Sequence, residues 1–324
     1  MGDARYLVTG GAGFIGAHLV GALLARGGTV CALDDLSSGS WSALGAARDA
    51  AALRCVEGDV RDAALCAELA RGVDVVFHEA AICSVQESIA APVRVDATNV
   101  GGTVAVLDAA RHAHVRRVVL ASSTAVYGDA ATLPVHEGLP TEPLSPYAAG
   151  KLAAEHYARV FCRLGGSDAA CLRYFNVFGP GQTPDSAYAA AIPRFIAAAL
   201  AGETLTIYGD GEQTRDFCYV DDVVEANLRA ADVDVPLGGR AINVGTGASV
   251  AIASVAEHIR VAAGGTARIV HAPARTGDVR HSRADIGLAR RLLGFEPRTR
   301  WQDGIAPTVA YLRAYRDARP GGAA

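Results

Sequence analysis

The sequence predicts an α/β fold, a doubly wound parallel sheet with a smaller C-terminal lobe that binds substrate. Three observations predict it. Short apolar runs alternate with amphipathic stretches through the first half, the pattern of repeated βαβ units. The first run breaks into glycines at Gly10, Gly13 and Gly16 and passes directly into a helical pattern. The second run ends on Asp34 and Asp35, roughly 20 residues past the glycine turn, where an acid can meet a ribose hydroxyl. These features make the sheet Rossmann-type.

The elements follow in order. Apolar, β-rich runs at 6–9, 29–33, 52–56, 73–78, 115–122 and 169–174 read as strands. Helical periodicity covers 14–26, 63–71, 95–112 and 146–164. The last of these opens on Ser145-Pro146, an N-cap followed by proline at the first helical position. After residue 178 the texture changes: 179–184 is rich in glycine and proline, a helix follows near 192–201, and 208–214 reads as a loop. The expected division is 1–177 for the dinucleotide-binding part and 178–324 for the second lobe, interleaved with the first. The tail 319–324 is expected to fray.

Composition narrows the function. The chain has 51% hydrophobic and 20% charged residues and a formal charge of −4, which offers nucleic acid no basic footprint. No run approaches the roughly 18 apolar residues that cross a bilayer. The first strand begins almost at the N-terminus, so a cytoplasmic protein with no membrane partner is expected. Seven scattered cysteines form no C-x-x-C pair, which predicts free thiols and no metal site.

Two constellations carry chemistry. Glycines at 10, 13 and 16 let backbone approach a pyrophosphate at a helix N-terminus. The acids at 34 and 35 would accept from a ribose 2′-hydroxyl and repel a 2′-phosphate, which favours NAD over NADP. Tyr147 and Lys151 lie four apart on one helical face. An ammonium beside a phenol favours phenolate, and a bound nicotinamide cation favours it further. Such a phenolate can take a proton from a sugar hydroxyl. Ser123, at the end of the preceding strand, can orient that proton. Lys151 is the only lysine in the chain. His78 ends a strand and reads as a structural residue lining the pocket. Cys83 reads as a small buried thiol.

In combination these segments resemble a known family. Thr9 to Gly16, Asp34-Asp35-Leu36-Ser37-Ser38-Gly39, Gly58-Asp59-Val60, His78-Glu79-Ala80-Ala81, Ser122 to Gly128 and Tyr147-Ala148-Ala149-Gly150-Lys151 are similar to the extended short-chain dehydrogenase/reductases. The subgroup is the NAD-dependent nucleotide-sugar epimerases and dehydratases, and the similarity is greatest to UDP-glucose 4-epimerases. The resemblance implies that Gly10, Gly13, Phe14 and Ile15 hold the pyrophosphate, and that Asp34, with Asp35 beside it, meets the adenosine ribose. Asp59 and Val60 would meet adenine, Ala80 and Ala81 would flank the cofactor, and Asn99 would sit nearby. Tyr147 would be the base, Lys151 would bind the nicotinamide ribose, and Ser123 would be the hydroxyl partner. In the second lobe it implies Asn176 as a sugar-diphosphate contact, Tyr208 beside uracil, Arg215 and Arg275 on the diphosphate and Asp278 on the ribose. A UDP-sugar substrate and a homodimer follow from the same resemblance, the dimer built on the alanine-rich helices at 95–112 and 152–164.

Two departures discriminate within the family. The 4,6-dehydratases carry Asp-Glu where this chain has Thr124 and Ala125, so the resemblance points to C4 epimerisation. Ser282 stands where hexose-only epimerases carry a bulky tyrosine, which opens space for an N-acetyl group. A dehydratase, an epimerase of another sugar nucleotide and a non-catalytic NAD(H) sensor remain alternatives.

Overall fold

The computed structural model describes residues 4–184, 190–274 and 279–318. The expected parallel sheet is present and has seven strands. In chain order the elements that build the first layer are β1 (Arg5–Thr9), α1 (Phe14–Ala25), β2 (Thr29–Asp34), β3 (Leu53–Glu57), α2 (Ala63–Leu69) and β4 (Val75–His78). Next come α3 (Val85–Ala90), α4 (Pro92–Asp96), α5 (Thr103–His112), β5 (Arg117–Ser123), α6 (Pro146–Arg163) and β6 (Asp168–Tyr174). Between α4 and α5 the chain winds as a π-helix over Ala97–Gly102, so the single helix expected at 95–112 is interrupted.

The second half contributes β7 (Asn176–Phe178), α7 (Ala191–Ala201), β8 (Leu205–Tyr208), β9 (Thr214–Arg215), β10 (Phe217–Tyr219) and α8 (Val220–Asp232). It continues through β11 (Arg240–Val244), β12 (Val250–Ala251), α9 (Ile252–Ala262), β13 (Ile269–Ala272), α10 (Gly287–Leu293) and α11 (Trp301–Asp317). The large sheet runs β11-β6-β5-β4-β1-β2-β3, parallel throughout. Its order reverses direction beside β1, which puts a ligand crevice at the carboxyl ends of β1 and β4.

The chain re-enters the first layer after residue 177. β11 is the sheet's edge strand, and α8 and α10 share an apolar core with α1 through Leu19, Val223, Ile242 and Leu293. A separate core holds Phe178, Ile196, Ile259 and Ile305 together as the smaller lobe. The interleaving of the two parts is thus explicit: residues near 220–244 lie with the sheet, not with the second lobe. On the sheet's other face Val106, Leu107, Ala109 and Ala110 of α5 are buried against β4 and β5 residues. The exposed apolar face therefore includes the expected stretch at 152–164 on α6 and continues onto α3 and α4, not onto α5. There Ile89, Val93 and Leu164 are 57%, 83% and 66% exposed.

Candidate active site

The carboxyl edge of the sheet gathers the predicted residues. Gly10 takes φ +68, and a Cβ there would stand 2.7 Å from the Ala80 nitrogen, so the turn and the 79–82 loop touch only because the side chain is hydrogen. A Cβ on Gly16 would stand 2.0 Å from the Gly10 carbonyl oxygen. α1 starts at Phe14 after Gly13 as its N-cap, with no capping side chain and no acid in its first turn. Its leading N–H groups face the concavity that the glycines leave open. That cradle suits the pyrophosphate of a dinucleotide.

Asp34 ends β2 and is buried. One of its oxygens accepts from the Ala12 nitrogen at 2.9 Å, the other from the Leu36 nitrogen at 2.9 Å. Burial pushes its carboxyl above the usual value, and those hydrogen bonds oppose the shift. Asp35 is exposed and holds Ser37, accepting from its nitrogen and its hydroxyl. Asp59 is engaged by Arg61, whose guanidinium holds its carboxyl below the usual value. Val60 sends its side chain into the core beneath α2 and α5, so only its backbone faces outward. Asn99 is pinned to the backbone of Ile82: its Oδ1 accepts at 2.8 Å and its Nδ2 donates at 3.0 Å. It shapes the loop that carries Ala80 and Ala81.

His78 is a link in that same scaffold. Thr103 donates its hydroxyl to the Asn99 carbonyl at 2.6 Å, so it must accept from His78 Nε2, 2.9 Å away. Nδ1 then accepts from Thr9, 2.7 Å away, and Thr9 in turn accepts from the Ala80 nitrogen at 3.3 Å. Burial drives the imidazole down to about 3, which keeps it neutral. Its neighbour Glu79 points to the opposite face of the sheet and accepts from the Tyr174 hydroxyl at 2.9 Å. Burial pushes that carboxyl up to about 7.

Tyr147 and Lys151 lie on the first turns of α6, which Ser145 caps by accepting from the Ala148 nitrogen. Lys151 Nζ is 6.0 Å from the Tyr147 ring centre and donates to the Ala121 carbonyl at 2.8 Å. Ser123 Oγ accepts from the Ala125 nitrogen at 3.1 Å, which leaves its proton to serve the Tyr147 phenol, whose ionisation it favours. In the chain by itself the phenol is not easily ionised. Burial holds the phenol well above its ordinary value, Cys83 and Glu79 add to that, and burial lowers Lys151.

The second-lobe residues are spread across short strands. Asn176 opens β7, and its nitrogen donates to the Asp216 carbonyl at 3.0 Å. Tyr208 ends β8 under the Arg194 guanidinium, 5.5 Å from its ring centre. Arg215 Nη1 donates to the Thr214 carbonyl at 2.9 Å. Ser282 is buried, its nitrogen donates to the Thr214 carbonyl, and its hydroxyl has no hydrogen-bond partner among the described residues. Arg275 and Asp278 fall outside the described residues. Among the described residues there is no cluster able to hold a metal, and no helix is long and apolar enough to cross a membrane.

With this geometry in hand, comparison with known proteins is decisive. The model of the NAD dependent epimerase/dehydratase family matches residues 6–245. The chain belongs to that family. It is 43% identical over 312 residues to a UDP-glucose 4-epimerase of Mycolicibacterium smegmatis, covering 95% of this chain and 98% of that one. Among solved structures, a UDP-N-acetylglucosamine 4-epimerase from Methanobrevibacter ruminantium in complex with UDP-N-acetylmuramic acid matches at TM-score 0.92 and 37% identity, covering 97% and 100% of the two chains. A dTDP-glucose 4,6-dehydratase from Streptomyces venezuelae with NAD bound matches at TM-score 0.88 and 36% identity, covering 97% and 98%. NAD is the family's cofactor, and the glycine cradle with Asp34 fits it.

Sequence reasoning missed two groups at this site. Glu79 stood inside a quoted motif, but its partner Tyr174 is 95 residues away. Glu155 stands four residues past Lys151, on the same helical face, and that spacing was the available signal.

Proposed function

We propose that the protein interconverts a UDP-hexose with its C4 epimer, with NAD retained and regenerated in each turnover. One observation carries the reading: Tyr147, Ser123 and Lys151 converge beside the cofactor cradle, while Thr124 and Ala125, in the turn that Ser123 caps, supply no carboxylate. Bound NAD supplies the reversible oxidation at C4. Tyr147 takes the 4-hydroxyl proton and returns it after the sugar has turned. Ser123 orients that proton. Lys151, held by the Ala121 carbonyl, binds the nicotinamide ribose and adds positive charge near the phenol. The positive nicotinamide supplies the remaining pull on a phenol that burial holds up.

Gly10, Gly13, Phe14 and Ile15 then hold the pyrophosphate, and Asp34 the adenosine ribose. Backbone at Asp59 and Val60 meets adenine, with Ala80 and Ala81 flanking the cofactor. Asn176, Tyr208, Arg215, Arg275 and Asp278 receive the UDP moiety. The buried, unpartnered hydroxyl of Ser282 supports a pocket that admits an N-acetyl group. The division of labour is a cofactor layer at 1–177, completed by α8, β11 and α10, and a substrate lobe from the remainder. The exposed apolar face of α3, α4 and α6 fits a second copy of the chain, and sedimentation of Val93→Asp as a monomer would support that pairing.

A second reading has one observation in its favour. Burial pushes the Glu79 carboxyl up to about 7, and its charge bears on the Tyr147 phenol, which offers a dehydratase a protonated acid at this strand edge. Incubation with UDP-glucose and UDP-N-acetylglucosamine, followed by NMR, separates the two. Galacto-configured products support epimerisation, and a 4-keto-6-deoxy sugar overturns it. Tyr147→Phe should abolish turnover with the fold intact.

A further inference from the structure

Three consecutive residues at the end of β5 are each met by one face of α6. Lys151 Nζ donates to the Ala121 carbonyl at 2.8 Å. Ser122 donates its hydroxyl to Glu155 Oε1 at 2.6 Å. Ser123, which ends β5 opposite the first turn of α6, favours ionisation of the Tyr147 phenol. Tyr147, Lys151 and Glu155 recur every fourth residue, so a single helical stripe spans the whole strand end.

Glu155 is fully buried. Arg173 of β6, also buried, forks onto it, Nε to Oε1 at 2.8 Å and Nη2 to Oε2 at 2.7 Å. Arg159 approaches the same carboxylate at 3.7 Å. The Arg173 guanidinium lies 4.6 Å from the centre of the Tyr127 ring, and Tyr127 donates its hydroxyl to Asn243 at 2.7 Å. Tyr127 closes the turn that Ser123 opens. Glu155 is therefore tied to both ends of the segment that carries Ser123.

A buried ion pair returns little net stability, because desolvation offsets its attraction. What this one does is exclude other registers. A helix advances about 1.5 Å per residue, and a side-chain hydrogen bond does not survive a displacement of that size. We propose that Glu155, clamped by Arg173, is a positioning residue that sets the register of α6 on β5 and so aims Tyr147 at the Ser123 hydroxyl. This rests on Tyr147 being the base of the proposed reaction.

The test compares Ser122→Ala, Ser122→Thr, Glu155→Asp and Tyr147→Phe, each purified with its cofactor. Ser122→Ala removes only the hydroxyl that Glu155 accepts, and Glu155→Asp keeps the charge but draws it back by a methylene. The expected result is a kcat about tenfold to a hundredfold lower in both, with KM within about twofold of the parent. The ionisation midpoint of Tyr147 should also rise by roughly one pH unit in both. It is read from near-ultraviolet absorbance as the difference between each protein and its Tyr147→Phe counterpart. The charged or titratable groups facing that phenol, Lys151, Glu79 and Cys83, are unchanged in every variant. Ser122→Thr, which keeps the hydroxyl, should restore kcat. A folded Ser122→Ala with parental kcat and midpoint overturns the proposal, as does a loss confined to melting temperature. Should Glu155→Asp fail to fold, Ser122→Ala decides alone. If Tyr147→Phe turns over like the parent, the reading of Tyr147 falls and this proposal with it. If Tyr147→Phe is dead and Ser122→Ala is parental, only the positioning role falls.

Discussion

Replacing Glu79 with glutamine should change how the cofactor-free protein melts as a function of pH. The carboxyl accepts from Tyr174 at 2.9 Å, and burial raises it from its ordinary 4.5 to about 7. A carboxyl raised in the folded state favours folding when protonated. Its contribution is complete below its unfolded value and is lost as pH rises through about 7. A difference of that size corresponds to about 3 kcal/mol. For a chain of this length, roughly 2 °C of melting temperature accompanies each kcal/mol, so about 6 °C is at stake. His78 next door works in the opposite direction: held neutral down to about 3, it stabilises the fold above its ordinary 6.5 and loses that contribution as pH falls. The two oppose each other between about 4.5 and 6.5, and below 4.5 only the His78 contribution keeps falling. The substituted glutamine cannot titrate but keeps an acceptor for Tyr174. Subtracting the melting curve series of Glu79→Gln from the parent's isolates the Glu79 contribution, since His78 and all other groups are common to both. The parent should gain about 6 °C over the variant as pH falls from above 7 to near 4.5. A difference that stays constant across that range would refute the assignment of a raised Glu79.

Three further outcomes follow from the same geometry. Gly16→Ala puts a methyl 2.0 Å from the Gly10 carbonyl, so the turn must open, and NAD affinity measured by calorimetry should fall by about a hundredfold while the sheet still melts cooperatively. Lys151→Arg replaces a compact buried ammonium bound to Ala121 with a larger planar fork, and turnover should drop by roughly two orders of magnitude; full activity would mean that any cation suffices. Ser282→Tyr fills the space around a buried, unpartnered hydroxyl, and in competition assays it should suppress UDP-N-acetylglucosamine conversion more than UDP-glucose conversion; an unchanged ratio would remove Ser282 from the pocket.

What could be seen in the sequence was whatever depends on short spacing. The glycine turn, Asp34 at the end of β2, and Tyr147 with Lys151 on one helical turn are local patterns, and their elements stand within a few residues of the expected bounds. The hidden parts are contacts across the sheet. Nothing in the run 240–244 announces that it will pair with β6 and return the chain to the first layer, because the pairing is chosen by a core that includes Leu19 and Leu293. The alanine-rich stretch at 95–112 looked surplus to one core. Yet α5 is needed to cover the sheet, and the π-helical turn before it carries Asn99 to Ile82. His78 illustrates the same limit: its tautomer follows from Thr9 and Thr103, which lie 69 and 25 residues away. Glu155 lies between the two cases. Its place on the Tyr147–Lys151 face was legible, but its partner Arg173 comes from another strand. A stripe of three side chains on α6 therefore reads in sequence as two residues of chemistry and one of no apparent purpose. The structure makes the third the one that decides where the other two stand.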